Sequence, residues 1–278
     1  MIKLFITDLD DTLYSWIGFF IPAFYDMLKE ISSIISVPQE QLLKEYKQIH
    51  QNMGSVEYPF ATIKLPSVRD KFVGFSDAQI KEELNSGFYK FNYTRKKLLK
   101  LYPGVEDTLK FLYDRNIIIV AYTESAEENG FYRLKKLGID GYFKEIYVSD
   151  SLYKYPHEIS ALPKTHKLQG KKPNAAILRE ICENENVSVE QAIYIGDSLS
   201  KDMLMAKQAG VLSVWCNYQQ NDIADLYKKL VAISHWTEQD FQREEQYKHE
   251  WKSNGYVPDY IIRNFTECMK IISDINKV

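Results

Sequence analysis

Six short apolar runs recur along the chain, at Ile2 to Thr7, Ile117 to Tyr122, Lys144 to Val148, Ala192 to Ile195, Leu212 to Cys216 and Tyr260 to Ile262. Amphipathic stretches separate them, and strands alternating with helices predict a parallel sheet covered on both faces. Helix starts are legible in several places. Ser188-Val-Glu-Gln191 fits a capping box, Pro103-Gly104-Val105 leads into an apolar periodic stretch, and Pro173 stands where a first-turn proline would.

The alternation breaks after the first run, because residues 14–100 hold no convincing strand. Instead Ile21 to Ile35, Gln39 to Gln51 and Asp77 to Leu101 carry apolar residues three and four apart, the last two opened by Ser36-Val-Pro-Gln39 and Ser76-Asp-Ala-Gln79. A helical insertion, folded as a small domain, is expected there. Two other stretches leave the sheet pattern: 150–171, holding Pro156, Pro163 and Gly170, and 218–256, rich in Gln, Lys, Glu and aromatics.

Composition adds limits. With 45% apolar and 26% charged residues the 278-residue chain is an ordinary folded protein large enough for one big or two unequal domains. Its net charge of -3, with Lys and Arg spread throughout, lacks the positive field that nucleic-acid binding needs. The segment from Met1 meets charge too soon for a signal peptide, and no uncharged apolar run approaches the ~20 residues of a membrane span. Cys182, Cys216 and Cys268 are odd in number and far apart, so reduced buried thiols in a cytoplasmic protein are expected rather than disulfides or a zinc site.

In open parallel sheets ligands bind beyond the carboxyl ends of the strands. The polar residues there are Asp8-Leu-Asp10-Asp11-Thr12, then Thr123-Glu124-Ser125, then Gly196-Asp197-Ser198 with Asp202 five residues past Asp197; Lys171-Lys172-Pro173 opens a helix. In order, DLDDTL, a strand ending in Thr, a Lys-Pro and GDSLSKD resemble the four signature motifs of the haloacid dehalogenase-like superfamily. The likeness spans residues 2–13 and roughly 101–217, and PDYII at 258–262 resembles the family's closing strand.

The chemistry has physical grounds beside the resemblance. Phosphoryl transfer spreads charge over the equatorial oxygens, so it needs an aligned nucleophile, a divalent cation and fixed donors. Asp8 can be that nucleophile, passing through an aspartyl-phosphate. Asp10 points the same way in an extended chain, and crowding of two carboxylates favours protonation of one. The family's role for Asp10, acid for the leaving oxygen and then base for water, fits. Mg²⁺ takes a few hard oxygens and keeps some waters; Asp8 and Asp197 supply carboxylates, and by resemblance the backbone carbonyl of Asp10 joins them. The family uses the residue matching Asp202 on the metal directly, through water, or to position the lysine.

Thr123 and the amide of Glu124 are expected to donate to the phosphate, although Glu124 departs from the Asn or Gly of many members and its side chain must turn away. Lys172, rather than Lys171, matches the motif lysine that neutralises phosphate and nucleophile. Bland alternatives exist for each: a strand-end cap for Asp8, a turn for Asp10, a helix start for Asp202, a solvated amine for Lys172. The basic run Arg95 to Lys100 reads as a solvated helix face, and Trp16, Phe19 and Phe20 either stack on substrate or pack the small domain.

The resemblance implies a Rossmann-like three-layer α/β core, residues 1–13 and 101–278, with a C1-type helical cap at 14–100. It also implies a Mg²⁺-dependent phosphatase for a small phosphomonoester, a nucleotide or sugar phosphate; the charge and the apolar runs, for their part, give no expectation of a nucleic-acid or membrane partner. A phosphomutase, or a binding protein that kept the fold without turnover, is the alternative; a carbon–halogen hydrolase is disfavoured because Asp10 is present. The excursions 150–171 and 218–256 are expected on the active-site side, helping the cap to close, with surface decoration or a dimer contact as the alternative.

Overall fold

A computed structural model describes residues 1–58, 60–150, 164–168, 170–218 and 223–277. The chain begins with β1 (Leu4–Thr7), followed by α1 (Trp16–Ile35), α2 (Gln39–Met53), α3 (Ala61–Lys64), α4 (Pro66–Lys71), α5 (Asp77–Glu83) and α6 (Asn85–Leu98). Then come α7 (Val105–Tyr113), β2 (Ile118–Ala126), α8 (Glu127–Leu137), β3 (Glu145–Ser149), β4 (Lys164–Lys167), α9 (Ala175–Asn184) and β5 (Ala192–Gly196). The last part holds α10 (Leu204–Ala209), β6 (Leu212–Cys216), α11 (Ile223–Ile233), α12 (Glu238–Ser253), β7 (Tyr260–Ile262) and α13 (Glu267–Asn276).

All seven strands run parallel in the order β4-β3-β2-β1-β5-β6-β7. The parallel sheet is the one that the alternation predicted, and the Rossmann-like α/β core is the one that the resemblance implied. The six apolar runs supply six of its strands, because an all-parallel sheet buries both faces and so selects near-continuous hydrophobic segments. On one face Leu4, Ile6, Val120, Tyr122 and Tyr194 pack with Ile177, Leu178 and Ile181 of α9 and Met205 of α10. Phe5 turns to the other face and meets Phe265 edge-on, the rings 6.3 Å apart.

The seventh strand, β4, was not expected. Its Lys-Thr-His-Lys sequence carries no apolar signal, and charge on an edge strand discourages pairing with other chains. It lies in the excursion placed at 150–171, of which residues 151–163 and 169 lie outside the described residues.

By contact the chain forms two compact units, one of residues 1–15, 100–219 and 243–278, the other of 16–99 and 220–242. The second unit is helical, as the patterning of 14–100 predicted. Inside it α1 and α6 approach closely at Gly87, where an added Cβ would lie 2.6 Å from Ile31 Cδ1. Residues 220–242, read from sequence as an excursion of the core, belong instead to this helical unit. His50 Nδ1 lies 2.7 Å from the Ile233 carbonyl, Gln51 Nε2 donates to the Trp236 carbonyl at 3.1 Å, and Tyr25 donates to the Lys229 carbonyl. The remainder of the excursion joins the core, where Gln208 donates to Glu250 at 2.7 Å.

Local signals succeeded unevenly. Ser76 and Gln79 form the full capping box that their spacing predicted. Ser188-Val-Glu-Gln191 instead makes a single 3₁₀ turn, and α2 starts after Pro38 with no side-chain cap. Asn174 caps α9 by accepting from the Ala176 amide, so Pro173 precedes the cap and is not a first-turn residue. The helix expected over Asp77 to Leu101 is two, α5 and α6, meeting at Leu84. Phe19 and Phe20 are buried and Phe20 meets Phe91 edge-on, so packing of the helical unit accounts for them.

Candidate active site

β1 lies between β2 and β5, with Thr7 in register with Ala121 on one side and Ile195 on the other. The strand order reverses across this point, because the chain builds outward from β1 through β2 to β4 and then returns to add β5. Loops leave in opposite directions there, which opens the crevice where ligands of open α/β sheets bind. Asp8 follows β1 directly, its amide donating to the Ile195 carbonyl at 2.9 Å.

Lys172 is buried, and its ammonium lies 2.8 Å from Asp8 Oδ1 and 2.9 Å from Asp202 Oδ1. Tyr194, from the middle of β5, completes the cluster: its hydroxyl is 2.9 Å from Lys172 Nζ and donates to Asp202 Oδ1 at 2.8 Å. Lys171 is exposed. Burial disfavours the Lys172 ammonium, but Asp202 and Asp8 outweigh it and hold the amine firmly protonated.

Asp202 reaches this position on a π-helical turn, Leu199–Met203, that precedes α10. Its second carboxylate oxygen accepts from the Ser198 amide at 3.1 Å. Gly196 makes the approach possible, since a Cβ there would sit 2.5 Å from Asp202 Cγ.

Asp8, Asp197 and Asp202 each offer a carboxylate oxygen, all within 4.8 Å of one another. Burial, then Asp202 and Asp197, pushes the Asp8 carboxyl up, against the pull of Lys172. Burial, Asp202 and Asp11 push Asp197 up to about 8. Because the Asp197 residue as a whole is exposed, the neighbouring charges have the greater weight. Three acidic groups against one ammonium leave this centre short of positive charge. Hard oxygens at this spacing fit a divalent cation, which would be held by Asp8 and Asp197 with Asp202 beside them.

Asp10 does not share these partners. The turn after Asp8, closed by Leu13 donating to the Leu9 carbonyl at 2.9 Å, places Asp11 in the left-handed region at φ 58°. Beyond this bend the Asp10 carboxylate meets Arg133 of α8, whose Nη1 lies 2.9 Å from Oδ1 and 3.0 Å from Oδ2. The Ser125 hydroxyl donates to Asp10 Oδ2 and accepts from Arg133 Nη1 at 2.8 Å.

The Thr123–Glu124 pair sits differently from the expected strand end. β2 continues to Ala126, with an irregularity in its pairing to β3 between Tyr122 and Ala126, and α8 starts only at Glu127. Thr123 is buried, its hydroxyl accepting from the Ser125 amide. Glu124 accepts from the Lys172 amide at 3.2 Å and pairs with Lys201 at 3.2 Å, so its charge is neutralised by a lysine of the fourth motif. The Glu124 amide is therefore not at a helix start.

Sequence reasoning missed Tyr194 and Arg133, and it gave no role to Ser125 or to Lys201, although both stand in the stretches it singled out. Tyr194 is hidden in an apolar run, and Arg133, two and three residues before Lys135 and Lys136, resembles any solvated residue of an amphipathic helix. Only the fold brings Arg133 to a carboxylate 123 residues away in sequence.

The fold and this centre define a class: an α/β enzyme with a cation-ready carboxylate cluster and a buried lysine at the switch point of a parallel sheet. The sequence profile of the haloacid dehalogenase-like hydrolases matches residues 2–210, and the chain belongs to that family and is a hydrolase. Relatives include the glyceraldehyde 3-phosphate phosphatase of Methanopyrus kandleri, 27% identical over 218 residues that cover 77% of this chain and 83% of that protein. A phosphoglycolate phosphatase of Pseudomonas fluorescens is 32% identical over 125 residues, 45% of this chain but only 40% of that protein. The fold is similar to that of a 2-haloacid dehalogenase from Pseudomonas syringae pv. Tomato, at a TM-score of 0.58 and 21% identity, covering 99% of this chain and 100% of that one. Among the described residues no helix is long and apolar enough to cross a membrane.

Proposed function

We propose that the chain is a Mg²⁺-dependent phosphatase of small phosphomonoesters, with Asp8 as the nucleophile. The observation that carries this reading is the contact of Lys172 with Asp8 at 2.8 Å, inside a cluster of carboxylates suited to a divalent cation. The matched relatives are named as phosphatases of glyceraldehyde 3-phosphate and phosphoglycolate, which favours three- and two-carbon phosphates over larger substrates.

In this reading Lys172 keeps Asp8 ionised and aligned, and its ammonium draws the phosphate toward the carboxylate. Asp8 attacks phosphorus; the bond to the leaving oxygen breaks as Asp10 gives that oxygen its proton. A water then attacks the aspartyl-phosphate, Asp10 takes its proton, and the bond to Asp8 breaks to release phosphate. The proton that Asp10 gains in one turnover is the one it spends in the next. Asp197 and the Asp10 carbonyl, with Asp8 and with Asp202 directly or through water, would hold Mg²⁺, which when bound neutralises charge on the phosphoryl oxygens. Asp202 has a second task in anchoring Lys172. Thr123 and the Glu124 amide remain the proposed donors to the phosphate. The helical unit acts as the cap that excludes water, and the protein works in the cytoplasm, in keeping with its three buried free cysteines.

The test is release of inorganic phosphate from phosphoglycolate and from glyceraldehyde 3-phosphate, with Mg²⁺ and with the ion chelated. Turnover that needs Mg²⁺ and vanishes in Asp8→Asn supports the reading. Asp8→Asn with more than a small fraction of wild-type activity overturns it.

A further inference from the structure

The proposed mechanism uses Asp10 but leaves unexplained why a buried arginine holds it. Arg133 is 3% exposed and comes from α8, a helix that none of the four motifs includes. Burying a guanidinium carries a desolvation penalty of several kcal/mol unless it is paired and hydrogen-bonded. The geometry is also more specific than charge pairing requires. One nitrogen, Arg133 Nη1, contacts both oxygens of Asp10 and the hydroxyl of Ser125, while Ser125 itself donates to Asp10 Oδ2. These four contacts tie the three groups into a ring that fixes both the position and the plane of the carboxylate. Ser125 is in turn held by its own amide, which donates to Thr123 at 3.1 Å. Asp10 keeps a quarter of its side-chain surface open, so the carboxylate is held from behind and remains accessible.

We infer that Arg133, with Ser125, is a positioning residue that orients Asp10 for proton transfer, and that this pair determines how well the enzyme handles leaving groups that need a proton. The inference rests on the phosphatase reading and on the acid/base role of Asp10. Alkoxide leaving groups, such as that of phosphoglycolate, require a proton as the bond to phosphorus breaks; p-nitrophenolate does not. Loss of the ring lets the Asp10 carboxylate rotate, so reactions that depend on its aim suffer and those that do not are spared. A residue that only supported the fold would affect both alike.

The experiment compares kcat/KM for phosphoglycolate and p-nitrophenyl phosphate in wild type, Arg133→Met, Arg133→Lys and Ser125→Ala. Arg133→Met is expected to lower kcat/KM for phosphoglycolate by ~100-fold, within the range of a lost proton transfer, and that for p-nitrophenyl phosphate by less than about 5-fold. Its p-nitrophenol release should begin with a burst of about one equivalent, because water attack on the aspartyl-phosphate also needs Asp10. Should Arg133→Met fail to fold, Arg133→Lys and Ser125→Ala carry the same comparison, with ratios shifted about 10-fold in the same direction. In an Asp10→Asn background Arg133→Lys should cost little more, since both changes remove one function. Equal losses for the two substrates in every folded variant, or additive losses with Asp10→Asn, would overturn the assignment. Failure of the phosphatase reading is distinct: wild-type enzyme would then turn over neither substrate, or Asp8→Asn would stay active.

Discussion

Three positions of the candidate site invite single substitutions whose effects differ in kind. Tyr194→Phe removes a hydroxyl that donates to Asp202 and contacts Lys172 while leaving their direct ion pair in place. A loss of about 1–2 kcal/mol in stability is expected, measured by urea denaturation, with only a modest change in kcat. Gly196→Ala acts by displacement, because the new methyl would need the space of Asp202 Cγ 2.5 Å away. Its kcat should fall by at least ~10-fold while the fold persists, with Asp202 shifted in a crystal structure of the variant; unaltered kinetics would contradict Asp202's part in anchoring Lys172. Asp10→Asn should slow turnover by ~10²- to 10⁴-fold. At this scale the sequence was informative wherever chemistry forces an unusual residue onto a strand end, as at Asp8 and Asp197. It was mute where the residue is ordinary and only its neighbour is unusual, as at Arg133.

A helix of the small unit offers a test independent of catalysis. His50 on α2 is buried, its ring packed against Tyr46 and Phe24, and its Nδ1 meets the carbonyl of Ile233 at the end of α11. Burial pushes its pKa down to about 4, with a smaller contribution from His235, against the hydrogen bond to Ile233. The unfolded chain therefore binds the proton more tightly than the folded one. Stability from the neutral ring is fully present above pH ~6.5 and is lost as pH falls toward 4, about 3 kcal/mol in all. Urea titrations of wild type and His50→Gln between pH 4 and 7 should diverge in slope, the wild type gaining more stability as pH rises. Parallel curves would show that His50 does not titrate on unfolding. Sequence periodicity located α1 and α2, yet a lone histidine on an apolar face gave no sign of a partner 183 residues away.

On the scale of the molecule, the two units are each assembled from separated segments, so their integrity depends on distant parts of the chain. Replacing 220–242 by a Gly/Ser bridge should lower the Tm of the helical unit and expose it to proteolysis, because the contacts to His50, Gln51 and Tyr25 disappear. An unchanged Tm would mean that α11 is decoration. The hydrophobic pattern by itself determined six strands, the parallel sheet and a helical insertion, because burial on both sheet faces or on one helix stripe must be written locally in residue type. The motif residues were legible for a related reason: strand-end carboxylates and a Lys-Pro have no role in a core. Tertiary structure alone decided that β4 joins the sheet through backbone pairing, which needs no apolar signal. It alone gave residues 220–242 to the helical unit and set Arg133 against Asp10, since contacts between segments more than a hundred residues apart leave no trace in local spacing; it also brought Tyr194 to Asp202, eight residues on, through a π-helical turn that the apolar pattern does not announce.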